Sequence, residues 1–369
     1  MSGPGSVIHE KIGEYIVSYI KNRNLAAGDR LPAERDIGQR FGSSQKPVRH
    51  AIQNLINRGI LTRVHGKGTF VNRNISRNLL TNRIGVLYWS SDEGFFSSSF
   101  YGPMLKGLER EANQAHKSLL FQSLNPADNT DPAAILYDVA DQADGLLVMD
   151  LSVSLADQVH GTLAGLAKPV VVLSYEDVPD GVSSVVFDSV GNGKKMTRFL
   201  ADLGHERIGV IGFVPSIEKQ GRISPTSRNL IRGYRDALAE TGMPVDEDLI
   251  STMKNFDDKE TFLSLVRRPH PPTALFCLGD ITAYRVYQFA QAEGIRIPDE
   301  LTVAGIGDIA ECAAMDPPLT TIHAPLEEMG TRALQLLNSR TGAAPDVLAE
   351  KVVLPGTIIK RGSHTSLGL

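Results

Sequence analysis

The chain has 369 residues, 42% hydrophobic and 22% charged, the make-up of a globular protein too long for one small core, so two or three domains are expected. No run of about eighteen apolar residues occurs, which argues against a membrane-spanning helix. The opening MSGPGSVIHEK lacks a charged-then-apolar leader, and two cysteines, Cys277 and Cys312, are too few for a disulfide framework or a Cys-rich metal site, so a reducing cytoplasm is the expected compartment.

The net charge of −4 conceals an asymmetry. Residues 1–77 hold thirteen Lys and Arg against five Asp and Glu, a net of +8, which leaves 25 against 37, a net of −12, for the remainder. A split of this kind points to a nucleic-acid module joined to an acidic body.

Residues 1–6 read as a flexible tail. Ile8, Ile12, Ile16 and Ile20 then recur at i, i+4, one apolar helix stripe running to about residue 23. Gly28 and Asp29 make a turn. Pro32 suits the opening of a second helix, with Glu34 and Asp36 in the first turn, where the helix dipole favours acids, and Gly42 ends it. Ser43 or Ser44 is placed to cap a third helix. Pro47 is tolerated only in a first turn, so that helix begins close to Ser44 and buries Val48, Ile52 and Leu55 until Gly59 stops it. Next comes RVHGKGTFV, residues 63–71. Gly66 and Gly68 permit a tight turn and Thr69, Phe70 and Val71 suit a returning strand, so the segment predicts a β-hairpin with a cationic tip.

Three helices and a hairpin over residues 7–71 make a winged helix-turn-helix, an α+β fold. The amino end of its third helix exposes Ser44, Gln45, Lys46, Arg49 and His50, where a recognition helix enters the major groove. Gln pairs well with adenine, and Arg or Lys with guanine. Taken singly each is an ordinary solvated side chain; the grouping beside a cationic wing is what points to DNA. The stretch GDRLPAERDIGQRFGSSQKPVRHAIQNLINRGILTRVHGKGTFV resembles the GntR-type winged-helix domain throughout. The resemblance implies that Arg35, Arg49, His65 and Gly66 contact DNA, with Lys67 beside them. Gln45-Lys46-Pro47 departs from the Arg-Thr-Thr more usual there, which leaves the base-reading code open while implying the same docking mode.

NRNISRNLLTN, residues 72–82, is polar and aperiodic and reads as a linker; it does not resemble the alanine-rich hinge helix of LacI-type repressors. From Arg83 the pattern alternates. RIGVLYW, SLLFQSL, DGLLVMD, PVVVLSY, ERIGVIGF, TALFCLG and LTVAGIG read as buried strands, and longer amphipathic stretches between them as helices. Two such series over 83–369 predict two α/β lobes with parallel sheets and a ligand cleft at the carboxyl ends of the strands.

VVFDSVGNG, LGHERIGVIG, RNLIRGYRDAL, TALFCLGDITA, GIRIPDELTVAGIGD and PPLTTIHAPLEEMGTRALQLL together resemble the LacI-type effector domain, related to periplasmic sugar-binding proteins. The combination with a GntR-type head is similar to the arabinose-repressor group. The resemblance implies a homodimer on a palindromic DNA operator, released by a small carbohydrate effector. It places Trp89, Phe100, Tyr101, Asp188, Arg228, Asp280 and Asp308 near that effector. Each has a plainer reading: Asp188 and Asp280 as helix caps, Asp308 as a loop brace, Arg228 as a surface charge and Trp89 as strand-end packing. Regulation in the activating direction is the alternative within the same architecture. An enzyme or a cytoplasmic sugar carrier is the alternative of another class, but no G-x-S-x-G, H-E-x-x-H or G-x-G-x-x-G pattern supports catalysis, so no catalytic residue, cofactor or metal is expected.

Overall fold

The computed structural model describes residues 4–23, 25–72, 80–89, 99–124, 131–149, 151–213, 223–341 and 348–367. The chain divides into two compact units, Met1–Thr81 and Asn82–Leu369. Three residues expected in a tail, 4–6, belong to the first helix, and both ends of the expected linker are tied down. Asn72 donates its backbone N–H to Ile60 (3.0 Å) in the first unit, and Asn82 donates to Asp144 (2.8 Å) in the second. Residues 73–79 lie outside the described part.

In the first unit α1 (Pro4–Asn22), α2 (Glu34–Arg40) and α3 (Gln45–Asn57) precede a hairpin of β1 (Leu61–Val64) and β2 (Gly68–Val71). Ile12, Ile16 and Ile20 join Val48, Ile52 and Leu55 in one buried cluster, so the stripe legible in the sequence is the stripe that packs. Each fully buried isoleucine contributes about 1.5–3 kcal/mol before conformational entropy is set against it. α1 begins at Pro4, whose missing N–H costs nothing in a first turn. α2 starts at Glu34, two residues beyond Pro32, behind an extended Ala33. Ser44 holds the N-cap position of α3 without a capping bond from its side chain. Gly42, Gly59 and Gly66 have φ of 56°, 68° and 74°, the left-handed values their turns require. The segment before α2 adds an isolated bridge to the wing. Leu31 donates to Thr69 (3.0 Å), Val71 to Asp29 (2.8 Å), and Arg30 bridges Phe70 antiparallel.

The second unit contains two six-stranded sheets. The first runs β4–β3–β5–β6–β7–β13, all parallel. Its strands are β3 (Arg83–Trp89), β4 (Ser118–Leu124), β5 (Gly145–Met149), β6 (Val170–Leu173), β7 (Ser183–Phe187) and β13 (Lys351–Leu354). In the second sheet β9 (Ile250–Met253), β8 (Ile208–Phe213), β10 (Ala274–Cys277), β11 (Thr302–Gly307) and β12 (Thr320–His323) are parallel, and β14 (Thr357–Ile359) closes the edge antiparallel. Both follow the doubly wound order in which the second strand lies outside the first, which puts a topological switch point beside β3 in one lobe and beside β8 in the other.

Helices cover both faces of each sheet. In lobe one α4 (Tyr101–Gln114) and α11 (Leu326–Arg340) share one face, and α5 (Pro132–Gln142) and α6 (Val153–Gly165) the other. In lobe two α7 (Ser189–Asp202) and α8 (Pro225–Glu240) lie opposite α9 (Lys259–Val266) and α10 (Asp280–Ala292). α11 and β13 return the chain to lobe one after lobe two is built, so the lobes are not consecutive halves of the sequence. Three crossings result, at 187–188, 324–325 and 355–356. They lie together: Asp188 donates to the carbonyl of Leu354 (2.8 Å) and Gly356 to Oδ1 of Asn192 (3.1 Å).

Each lobe also has one very close helix crossing. A Cβ on Gly107 would lie 2.0 Å from the carbonyl oxygen of Glu327, and one on Gly330 2.1 Å from that of Met104. In lobe two, Gly193 and Gly233 relate in the same way to Leu230 (2.2 Å) and Val190 (2.1 Å). Reciprocal glycines let the α4–α11 and α7–α8 backbones touch.

Gly233→Ala is expected to destabilise the second unit by about 1–3 kcal/mol in urea unfolding. Gly161→Ala, at a helical glycine with nothing within 4 Å of a new Cβ, is expected to stabilise it by up to about 1 kcal/mol.

Burial holds the pKa of His205 and that of His364 below the ordinary 6.5, with a bond to Thr365 opposing the shift at His205 and Lys360 adding to it at His364. Above about pH 6.5 both are neutral in the fold, and as pH falls the unfolded chain takes up protons first. Their contribution is fully present above about pH 6.5 and is lost below it. Melting temperatures from pH 7.5 to 5.5 should drop less in a His364→Gln variant than in the parent.

Candidate functional sites in the two units

In the first unit, cations stand exposed on α3 and on the wing. Ser44, Gln45, Lys46, Arg49 and His50 are exposed on the first turns of α3, and His65, Gly66 and Lys67 form the exposed turn of the wing. Arg35 is open, its side chain 77% exposed, with Asp36 at 3.8 Å. Glu34 organises the group. Its carboxylate accepts from Nε of Arg49 (3.0 Å) and from Nη2 of Arg63, so one carboxylate on α2 ties the recognition helix to the wing strand. Gln45 accepts from Nη2 of Arg49 (3.1 Å), which fixes the guanidinium from a second side. The sequence marks Glu34 only as an acid in a first turn; its role in holding two arginines depends on the wing folding back over α2. Its local setting is Leu31-Pro32-Ala33-Glu34.

In the second unit, segments following the carboxyl ends of strands in one lobe meet the other lobe. Ser99, in the connection leaving β3, donates to Glu311 after β11. Glu176, after β6, accepts from Ser189 of α7 and Asn229 of α8, and the adjacent Asp177 accepts from Nη2 of Arg228 (2.7 Å). These contacts bring the carboxyl edges of the two sheets together.

The expected cleft residues fall into two groups. Trp89 is the last residue of β3, at the switch point of lobe one, but its side chain lies outside the described part. Phe100 and Tyr101 are half-buried and meet edge to face, with centroids 5.2 Å apart. The charged residues are engaged by the protein itself. Asp188 caps α7 by accepting from the N–H of Gly191 (2.9 Å), and Arg228 spans the lobes to Asp177. Asp308, at φ 58°, is held by Nη2 of Arg361 (2.6 Å) and Nδ1 of His323 (3.0 Å).

Asp280, expected near the effector, is turned inward. It is 3% exposed, and its carboxylate accepts from Oγ1 of Thr321 (2.6 Å) and the N–H of Ile309 (3.1 Å). Burial raises its pKa, while these bonds and others from Cys312 and Asp308 pull the other way. A buried carboxylate needs that many donors, and they turn it inward to brace the loop after β11. A Cβ on Gly305 would lie 2.3 Å from it, so the glycine makes its seat.

An aromatic pair that the sequence reading did not single out stands at the switch point of lobe two. Phe213 ends β8 and Phe256 follows β9. Their rings stack with centroids 4.0 Å apart and planes 14° from parallel, and the Arg285 guanidinium lies 5.7 Å from the Phe256 centroid. An apolar face of this kind suits the C–H surface of a small ring. The two residues are 43 positions apart, so only the pairing of β8 with β9 brings them together.

The profile of the gntR family of bacterial regulatory proteins matches residues 8–71, and that of the periplasmic binding protein-like domain matches residues 197–364. The HTH-type transcriptional regulator DegA of Bacillus subtilis is 30% identical over 284 residues, 73% of this chain and 79% of that one. The arabinose metabolism transcriptional repressor of Geobacillus stearothermophilus is 24% identical over 89% of both chains. The ribose operon repressor of Haemophilus influenzae is 27% identical over 78% of this chain and 82% of its own. In structure, the transcriptional regulator CelR in complex with cellobiose superposes with a TM-score of 0.67 at 23% identity, over 87% of this chain and 93% of that one. A LacI family regulator from Enterococcus faecium with bound ribose gives 0.62 at 22%, over 78% and 100%. At these identities the structural likeness speaks to the fold.

Glu34→Gln separates two expectations. Removing one negative charge beside a polyanion would by itself tighten duplex binding. Releasing Arg49 and Arg63 from their shared anchor should instead weaken it, roughly tenfold, and the second effect is expected to win in fluorescence anisotropy titrations with duplex DNA.

Proposed function

Because this chain belongs to the helix-turn-helix transcription regulators that join a gntR-type DNA-binding domain to a periplasmic binding protein-like domain, we propose that it is a repressor whose hold on a palindromic operator is loosened when a small sugar binds between its two lobes. The observation that carries this reading is the pairing of an exposed cationic recognition face with a two-lobed body whose lobes are joined by three adjacent crossings.

In the first unit the amino end of α3 enters the major groove. Gln45, Lys46 and Arg49 read base edges, while Arg35 and Ser44 contact the backbone. His65, Gly66 and Lys67 of the wing reach the flanking minor groove, where Gly66 allows close backbone approach. Residues 72–82 act as the linker. The chain works as a homodimer in the cytoplasm, two-fold protein facing two-fold DNA. The exposed Ile281 and Tyr284 of α10, 48% and 47% exposed, supply an apolar patch for a second copy.

The effector is a carbohydrate. The stacked Phe213 and Phe256 of lobe two offer the sugar ring an apolar surface. Trp89, Phe100 and Tyr101, at or after the end of β3, are the candidates from lobe one, and the sugar's hydroxyls meet polar groups at the strand ends. Asp188, Arg228 and Asp308 set the geometry of those ends through their caps and ion pairs. The relatives' sugars, arabinose, ribose and cellobiose, set the class to be screened. Sugar binding shifts the DNA-bound state only by its preference for one lobe arrangement over the other.

The test has two arms. A thermal-shift screen of monosaccharides and disaccharides should find a ligand that raises the melting temperature; at a hundred times its Kd the gain is about 2.7 kcal/mol. The same compound should weaken binding to a duplex selected from a random pool by the wild-type chain. Phe256→Ala should lose the thermal shift and keep the DNA affinity. A ligand that tightened DNA binding would reverse the proposed direction.

A further inference from the structure

The wing of the first unit has two faces, and its cations are not treated alike on them. On β2, Thr69 and Val71 point into the core, so Gly68 and Phe70 lie on the outer face. Arg63 pairs across the hairpin with the inward Thr69 and is neutralised by Glu34. Arg30 is on the other side. Its backbone bridges Phe70, and its guanidinium lies directly over Gly68: a Cβ there would stand 3.0 Å from Nε and 3.4 Å from Nη2. Among the described residues Arg30 has no carboxylate within ion-pair distance. The adjacent Asp29 is occupied as an acceptor for the N–H of Ala26 (2.7 Å). Arg30 is exposed, and Gly68, over which it lies, follows Lys67 in the chain.

We infer that Arg30 is a DNA-backbone contact on the outer face of the wing, docked there by the missing side chain of Gly68. This rests on the DNA-binding reading above. A wing tip in a minor groove about 6 Å wide has a phosphate strand on each side. Arg63, tied to Glu34, serves the inner side. Arg30 is the uncompensated charge on the other. A planar guanidinium lying flat on the strand presents its donor edge outward, toward a phosphate, which an ammonium on a flexible stem does not reproduce.

The test uses the full chain and the duplex that the wild-type protein enriches from a random pool of 30-base-pair sequences. Failure to enrich any duplex would count against the DNA-binding reading itself, before Arg30 is in question. Given a duplex, Arg30→Gln should bind about five- to tenfold more weakly at about 0.1 M salt, and the slope of log affinity against log salt should become shallower by about one. Arg30→Lys should recover the slope but only part of the affinity. Arg58→Gln makes the same charge change at an exposed position at the far end of α3 and should leave the slope unchanged. The melting temperature of Arg30→Gln should match the parent, since the Arg30–Phe70 bridge is made by backbone atoms. The inference is overturned if Arg30→Gln keeps the parental affinity and slope, or if Arg58→Gln loses as much.

Discussion

The second unit depends on three chain crossings that lie side by side. Asp188, Pro325 and Gly356 each mark a passage between lobes, and the first and third are hydrogen-bonded to neighbouring segments, Asp188 to Leu354 and Gly356 to Asn192. A Cβ on Gly356 would lie 2.5 Å from Ile322 and 2.8 Å from Asn192, so the crossings are packed without room for a side chain at that point. Three parallel connections forbid free twisting of one sheet against the other and leave opening and closing as the soft motion. The closely packed α4–α11 and α7–α8 pairs keep each lobe rigid while that motion occurs.

Charge is used differently in the two units. In the second, the carboxylates near the carboxyl edges are mostly taken up: Asp188 by a helix end, Asp280 by Thr321 and Ile309, Asp308 by Arg361 and His323, Asp177 by Arg228. Among the described residues near those edges, aromatic rings pack on one another, Phe213 on Phe256 and Phe100 on Tyr101. In the first unit one acid, Glu34, orients two arginines, and Arg30, Arg35, Lys46 and Lys67 stay open to solvent. A site for a polyanion needs uncompensated charge; a site for a neutral ring needs surface from which charge has been withdrawn.

Local pattern carried far. The isoleucine stripe of α1, the positive-φ glycines at 42, 59 and 66, and the alternating runs from Arg83 to Gly307 all depend on neighbours in sequence, and all were legible there. The return of α11 and β13 to lobe one was not, because nothing local in LEEMGTRALQLL says which sheet the helix will cover. Asp280 reads like a helix-end acid facing a cleft. Only the approach of Thr321 and the 308–309 backbone, with Gly305 leaving space, turns it inward.

By itself the sequence determined the two-part organisation, the winged helix, the alternating α/β body and the charge division between them, since these follow from periodicity, turn chemistry and composition. Tertiary structure alone decided which charges stay free. Arg49 and Arg63 share Glu34, Arg30 lies on Gly68, and Phe213 meets Phe256 only after distant strands have paired. The physical reason is that an ion pair or a ring stack is set by distances of a few ångströms between residues far apart in the chain, and no local pattern encodes those distances.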